Sequence, residues 1–298
     1  MQRVSAIIGR PDFKPSVAVQ TVHTVADAQT QIRAWQAAGE RVAVVPTMGN
    51  LHAGHLALVA EGRRHAARVV TSVFVNPTQF GPNEDYGRYP RTLDADRSAL
   101  AGAGCDLLFA PDVAQMYPLG AEGGFRVTAP AALANTLCGS FRPGHFDGVA
   151  TVVLKLFQAM PGDVAVFGEK DVQQLLVIRR MVADLLLPIA IVGLPTVREA
   201  DGLALSSRNQ YLSAEERPTA ATIYRTLQQM AAGWRAGRSA DALDAEATAA
   251  LTAAGFRVDY ASLRRVADLG TPTPGEPDVV ALIAARLGST RLIDNLRV

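Results

Sequence analysis

Apolar positions along the chain fall into short uninterrupted runs, separated by longer stretches whose apolar residues recur at helical spacing. The runs at 41–45, 69–75, 106–110, 164–167 and 189–194 predict buried strands, the second being rich in β-branched residues. Between them, 24–38, a segment opening near His52–His55, 94–103, 146–160 and 171–186 predict helices. Thr24 reads as the N-cap of the first helix, and Gly39 lies just past its end. Strands that are apolar at every position, rather than at every second one, must be covered on both faces. Their alternation with helices therefore predicts a parallel sheet between two helical layers. In such sheets ligands bind at the carboxyl ends of the strands, so the strand-to-helix junctions are where chemistry is to be sought.

The pattern changes beyond about Val197. Ser213 and Glu216 form a capping box that opens a long helix toward Trp234, and an Ala-rich helix spans about 240–254. Runs at 256–260 and 279–285 read as strands. This predicts two domains, 1–196 and 197–298, the second a smaller α+β unit.

Composition narrows the class. A chain of 298 residues with 49% hydrophobic and 19% charged residues has the balance of a folded protein with a large core. The net charge of +1 argues against a nucleic-acid backbone as partner, since neutralising one needs a basic excess. The basic cluster Arg63, Arg64, His65 and Arg68 has the spacing of a solvated helix face. Two cysteines, Cys105 and Cys138, form no CxxC pair or metal-ligand spacing; they read as small buried hydrophobes in a reducing cytoplasm. The N-terminal residues hold too short an apolar stretch for a secretory signal, and the apolar run 181–197 is interrupted by Asp184, Pro188 and Pro195. No membrane anchor is expected.

The strongest chemical signal is Pro46-Thr47-Met48-Gly49-Asn50-Leu51-His52-Ala53-Gly54-His55, where a buried strand turns into a helix. Gly49 and Gly54 permit close backbone approach to a nucleotide, and the helix N-terminus offers free N–H groups to phosphate. His52 and His55, three apart, share a face of the first turn and can both donate to phosphate oxygens. A two-histidine metal site is the rival, weakened by the lack of neighbouring Cys or carboxylate partners.

His52-Ala53-Gly54-His55 resembles the HxGH signature of the nucleotidyltransferase superfamily, and the string PTMGNLHAGH resembles its pantothenate synthetase branch. FVNPTQF (74–80), FGEKDVQQ (167–174), DGLALSSRN (201–209), RPGHFDGV and YPRT are similar to the same family, so the resemblance spans about Val19 to Asn295. The first eighteen residues precede the family's usual start. Leu205, where some relatives carry Met, and Thr78, where Met or Leu is common, are packing departures. The resemblance implies a Rossmann-like α/β domain with a C-terminal lid, a homodimer, and an ATP-dependent ligase that joins pantoate to β-alanine through pantoyl-adenylate.

It also implies roles for individual residues. His52, His55, Lys170 and Arg208 become the catalytic set. ATP is expected at Met48, Gly49, Asn50, Leu51, His52, Ala53, Gly54 and His55, and at Gly168, Glu169, Lys170 and Asp171. It is also expected at Val197, whose backbone would face adenine, and at Leu205, Ser206, Ser207 and Arg208. Lys170 can neutralise developing phosphate charge; Asp171 can accept from ribose hydroxyls or be a helix N-cap. Gln79 and Gln174 are matched to pantoate, with Gln79 also near β-alanine, and Asn76, Arg142 and His145 are further pocket candidates. Mg2+ is implied by ATP chemistry; Asp96 could be its carboxylate ligand, or an exposed helical residue. The alternatives are another adenylyltransferase of the superfamily and a non-catalytic nucleotide-binding module.

Overall fold

The structure, a computed structural model, describes residues 19–82 and 84–298. The reading of the extreme N-terminus as lacking a signal falls on residues 1–18, outside the described residues. Among the described residues, nine strands form two sheets. The first contains β1 (Gln20–Val22), β2 (Val42–Thr47), β3 (Arg68–Val73), β4 (Leu107–Phe109), β5 (Val164–Gly168) and β6 (Ala190–Leu194). Every pairing is parallel and the order is β1-β4-β3-β2-β5-β6.

The two-sided burial expected of this sheet is visible within β2. Val42 and Val44 join the core that holds Ile32, Phe157 and Ile178, whereas Ala43 and Val45 join the opposite core with Leu58, Val59 and Leu100. Helices Val25–Ala37, His145–Ala159 and Val172–Asp184 cover the first face; Ala53–His65 and Leu93–Gly102 cover the second. At the amino edge, carboxylates stitch neighbouring strands together. Asp163 accepts from Val42 N and Asp106 from Val69 N, both at 2.7 Å.

The chain order creates a switch point. From β2 the chain winds outward through β3 and β4, while β5 lies on the other side of β2 and winds the opposite way to β6. The connections leaving β2 and β5 therefore diverge, and a crevice opens at their carboxyl ends.

The second sheet is an antiparallel meander of β7 (Arg257–Arg265), β8 (Val279–Leu287) and β9 (Thr290–Arg297). Helices Thr222–Arg235 and Ala240–Ala253 pack on it through Ile223, Leu227, Met230 and Leu251. The Ser213 box is formed: Ser213 Oγ accepts from Glu216 N and Glu216 accepts from Ser213 N. The helix it opens is divided, however, into Glu216–Ala220 and Thr222–Arg235. The apolar run after Met181 resolves into the end of helix Val172–Asp184 and strand β6. No helix among the described residues is long and apolar enough to cross a membrane.

One contact bears directly on the crevice. A Cβ on Gly148, in helix His145–Ala159, would lie 2.3 Å from Thr78 O and 2.9 Å from Gln79 Cα, so glycine lets this helix touch the turn Pro77–Gln79. Gly148→Ala must push helix and turn apart, at about 1–3 kcal/mol for an overpacked site. Urea denaturation should show a lowered midpoint with an unchanged slope; an unaltered midpoint would mean that the contact yields freely.

Candidate active site

A cleft of about 330 Å³ opens at the carboxyl ends of β2 and β5 and is closed on its far side by the C-terminal unit. Its floor is built by the β2 turn. Thr47 Oγ1 donates to Ser72 O at 2.6 Å and accepts from Gly49 N at 3.2 Å, which starts the chain's departure from the sheet. Gly49 takes φ +82°, and a Cβ there would meet Val73 Cγ1 at 2.9 Å and Asp96 Oδ2 at 3.0 Å. Asn50 follows with φ 51°. Asp96 holds this strained turn: its carboxylate accepts from Asn50 N at 3.0 Å, Leu51 N at 2.8 Å and Thr92 Oγ1 at 3.1 Å.

Asp96 is 2% exposed, so it is not a helical surface residue. Both of its oxygens serve the turn. No group of three or more His, Cys, Asp or Glu residues able to hold a metal occurs among the described residues.

The histidines begin the next helix as a reciprocal cap. His52 Nδ1 accepts from Gly54 N at 3.1 Å, and His55 Nδ1 accepts from His52 N at 3.2 Å. A Cβ on Gly54 would strike the His52 ring at 2.9 Å, so this glycine makes room for a side chain as well as for any ligand. The rings lie 4.1 Å apart between centroids. With each Nδ1 accepting, the neutral rings must carry their proton on Nε2, on the far side of each ring from the backbone. Burial, then the charge of Lys170, lowers the pKa of His52 to about 4; burial, then His52 and Lys170, lowers that of His55 to about 3. Both rings are therefore neutral single donors at physiological pH.

Met48, His52, Gly54 and His55 line the cleft from β2; Gly168, Lys170, Asp171 and Gln174 line it from β5. Asp171 occupies the N-cap position of helix Val172–Asp184 but makes no side-chain capping bond. Val197, Leu205, Ser206, Ser207 and Arg208 line the opposite side. Gly49, Asn50, Leu51, Ala53 and Glu169, expected at the nucleotide, do not line it. The first three form the turn that Asp96 holds, Ala53 is exposed, and Glu169 O is taken by Asn295.

At the end of the cleft near β3, Asn76 orders the glutamine. Asn76, 1% exposed, donates to Gln79 Oε1 at 3.0 Å and accepts from Tyr117 Oη at 2.7 Å. The Gln79 amide nitrogen is thereby turned toward Met48 Sδ, at 3.2 Å. His145 Nδ1 donates to Gln79 O at 2.8 Å, which leaves its Nε2 to accept from Arg142 at 2.8 Å. Burial, then Arg142, lowers the His145 pKa to about 4. Gln173, beside Gln174, is buried and structural, bonding Cys138 N, Leu133 O and Thr136 O.

Sequence reading missed a set of acids and aromatics that hold the cations. Glu84 grips Arg142 at 2.6 Å, and Asp85 takes Arg208 in a bidentate pair at 2.9 and 3.1 Å. Burial opposes ionisation of both acids, but their arginines outweigh it, and both pKa values are lowered. Tyr89 stacks 5.8 Å from the Arg208 guanidinium. Tyr89 at least lies in the YPRT string; the two acids had no local signal. Ser206 Oγ caps Arg208 N, and Ser207 Oγ donates to Asn50 O at 3.0 Å, joining the two sides of the cleft. Both cysteines are buried. Burial raises the Cys105 pKa to about 11, so that thiol is not a nucleophile.

A cleft with two fixed neutral N–H donors, an ammonium and a guanidinium suits a polyanion whose charge shifts during reaction. The family model described as pantoate-beta-alanine ligase matches residues 20–297. The pantothenate synthetase of Stenotrophomonas maltophilia strain K279a is 58% identical over 278 residues, 93% of this chain and 99% of that protein. That of Xanthomonas oryzae pv. oryzae strain MAFF 311018 is 57% identical over 279 residues, with the same coverage. The crystal structure of pantothenate synthetase from Thermus thermophilus superposes with a TM-score of 0.87 at 49% identity, covering 93% of this chain and 99% of that one. The pantoate–β-alanine ligase of Francisella tularensis, described as complexed with beta-gamma ATP and β-alanine, gives 0.79 at 33% identity, covering 94% and 98%.

The lowered histidine pKa values set a pH dependence. In the unfolded chain these imidazoles take protons near pH ~6.5, but the folded protein resists until far lower. Between about 6.5 and the folded values of about 4, 3 and 4 for His52, His55 and His145, the unfolded state binds more protons. Stability should therefore fall as pH drops through that window. Ring-proton NMR of the free protein should show these three unprotonated at pH ~6; a midpoint near 6.5 for His55 would contradict the buried, capped geometry.

Proposed function

Because the chain belongs to the pantoate–β-alanine ligase family and is an ATP-dependent ligase that condenses pantoate with β-alanine, we propose that its cleft works as follows. ATP lies across the crevice between β2 and β5, with adenine near the Val197 backbone, ribose near Asp171 and the α-phosphate against the His52–His55 turn and Lys170. A pantoate carboxylate oxygen attacks the α-phosphorus in line, the bond to the bridging oxygen breaks, and pyrophosphate departs. The β-alanine amine, having lost a proton to reach its neutral form, then attacks the acyl carbon of pantoyl-adenylate. AMP leaves with the C–O bond electrons, and the product amide nitrogen sheds its extra proton.

The observation that carries this reading is the shared geometry of the two histidines. Each Nδ1 is occupied by a backbone N–H, so each Nε2–H is a donor whose position is set before substrate arrives. Preorganised donors need no reorientation when phosphate charge shifts, and losing one typically costs about 100-fold or more. Lys170 adds a full positive charge on the same side. Arg208, with Ser206 and Ser207, grips pyrophosphate after exchanging the Asp85 carboxylate for phosphate oxygens. Gln79, oriented by Asn76, and Gln174 take pantoate, whose hydroxyl and carboxylate suit an amide that both accepts and donates. Gln79 also borders the β-alanine position.

Mg2+ would enter with ATP and be held by phosphate oxygens and water, as this ion commonly is. The protein offers it no carboxylate cage among the described residues, and no step here runs through a protein-bound metal. The functional division falls near Thr196, with 1–196 binding nucleotide and pantoate and 197–298 acting as the lid. The working assembly is a homodimer through the first domain, where Leu119 (76% exposed) and Phe125 (99%) offer apolar surface, and the compartment is the cytoplasm.

Isotope transfer tests the chemistry. Pantoate labelled with oxygen-18 in its carboxylate should pass one labelled oxygen into AMP. Labelled pyrophosphate should exchange into ATP with pantoate present and β-alanine absent. Label in inorganic phosphate beside ADP would instead mark attack at the γ-phosphorus and end the adenylate reading. His55→Ala should lower the exchange rate by ~100-fold or more, beside a stability loss of about 0.5–2 kcal/mol for the missing cap bond; near-normal exchange would remove the histidines from the mechanism.

A further inference from the structure

We infer that Asn295, in the last strand of the C-terminal sheet, is a positioning residue for Lys170, fixing the backbone turn that aims the lysine into the cleft. The inference rests on the role proposed above for Lys170. Asn295 is 7% exposed, and its Nδ2 donates to Glu169 O and to Lys170 O, each at 2.8 Å. Both partners are carbonyls, so the orientation of the amide is fixed by chemistry. A primary amide has two N–H bonds, and this one spends both on a single turn. The turn, Glu169–Asp171, is a 3-10 segment between β5 and helix Val172–Asp184, and its middle residue is Lys170. Asp171, next along, has no capping bond to steady it.

The amide is itself held. Asn295 N donates to Asp294 Oδ1 at 2.8 Å, and the Asp294 carboxylate, 5% exposed, takes Arg198 in a bidentate pair at 2.6 and 3.0 Å. Arg198 also donates to Asn295 O at 3.0 Å and to Gly202 O at 3.1 Å, with its guanidinium 4.0 Å above the Tyr224 ring. Arg198 belongs to the hairpin closed by Leu205 N donating to Val197 O at 3.0 Å, and that hairpin runs directly into Ser206–Arg208. One buried Asp-Asn pair therefore bonds both the turn that carries Lys170 and the hairpin that leads to Arg208. The carboxylate faces the hairpin before Arg208, and the amide faces the turn of Lys170. A turn left without these bonds can shift on the scale of an ångström, a displacement that costs about 100-fold where charge must be met in line.

The test separates the two half-reactions. In Asn295→Ala, pantoate-dependent pyrophosphate exchange should fall by ~10–100-fold in kcat with the pantoate KM little changed. Turnover of preformed pantoyl-adenylate with β-alanine should fall by less, because the phosphorus is no longer the reacting atom and only the departing AMP oxygen gains charge. In a Lys170→Ala background, adding Asn295→Ala should cause no further loss of exchange, as expected of two residues acting through one group. Equal losses in both half-reactions, independent losses in the double variant, or normal exchange in Asn295→Ala would each overturn the inference. If Asn295→Ala does not fold, Asn295→Asp, which keeps the shape but sets a carboxylate against two carbonyls, is put through the same comparisons and judged by the same outcomes. Normal exchange in Lys170→Ala alone would overturn the role of Lys170 instead, so the two failures are distinguishable.

Discussion

Everything in the cleft depends on the parallel pairing of β2 with β5, through Ala43 with Val164 and Val44 with Ala165. Because the chain winds away from this pair in opposite directions, no crossover covers its carboxyl end. Two helix starts are left facing the same space, each with a positive dipole end. The flanking sequence then only has to supply the right side chains on the first turn of each helix. PTMGNLHAGH and FGEKDVQQ do so from adjacent strands far apart in the chain.

The histidine turn shows how such a site is kept ready. Isolated imidazoles could adopt either tautomer and could protonate near neutrality. Here the backbone selects the tautomer, and burial beside Lys170 suppresses protonation, so the donors are single-valued. The supports come from below: Asp96 satisfies the amides of a turn in which Gly49 and Asn50 both have positive φ. A buried carboxylate without those N–H groups would be costly, and a turn without the carboxylate would leave amides unmet.

The parallel sheet and the histidine turn were legible in the sequence because their signals are local. Runs such as VAVVP and the spacing of His52 and His55 are properties of a few consecutive residues. Strand β9 was not legible, since TRLIDNLR mixes apolar positions with Asp294 and Asn295, which face buried partners rather than solvent. The three-residue strand β1 is too short to show a period. Asp96 read as a metal ligand or a surface acid because helix position says nothing about a turn 46 residues earlier. The ion pairs Glu84 with Arg142 and Asp85 with Arg208 join residues 58 and 123 apart, and no local pattern encodes them. Motifs named the side chains on the cleft; the groups that hold those side chains are scattered and emerge only from the fold.

The bidentate pair between Asp85 and Arg208 has a consequence for ligand exchange. The guanidinium is never left as a bare cation in a half-desolvated site, since the chain carries its own anion for it. Any incoming anion competes with a tethered carboxylate at high local concentration. A ligand must offer more charge and more acceptor oxygens than one carboxylate to displace it. Asp85 is thus a built-in counter-ion for the guanidinium, held beside it by the fold.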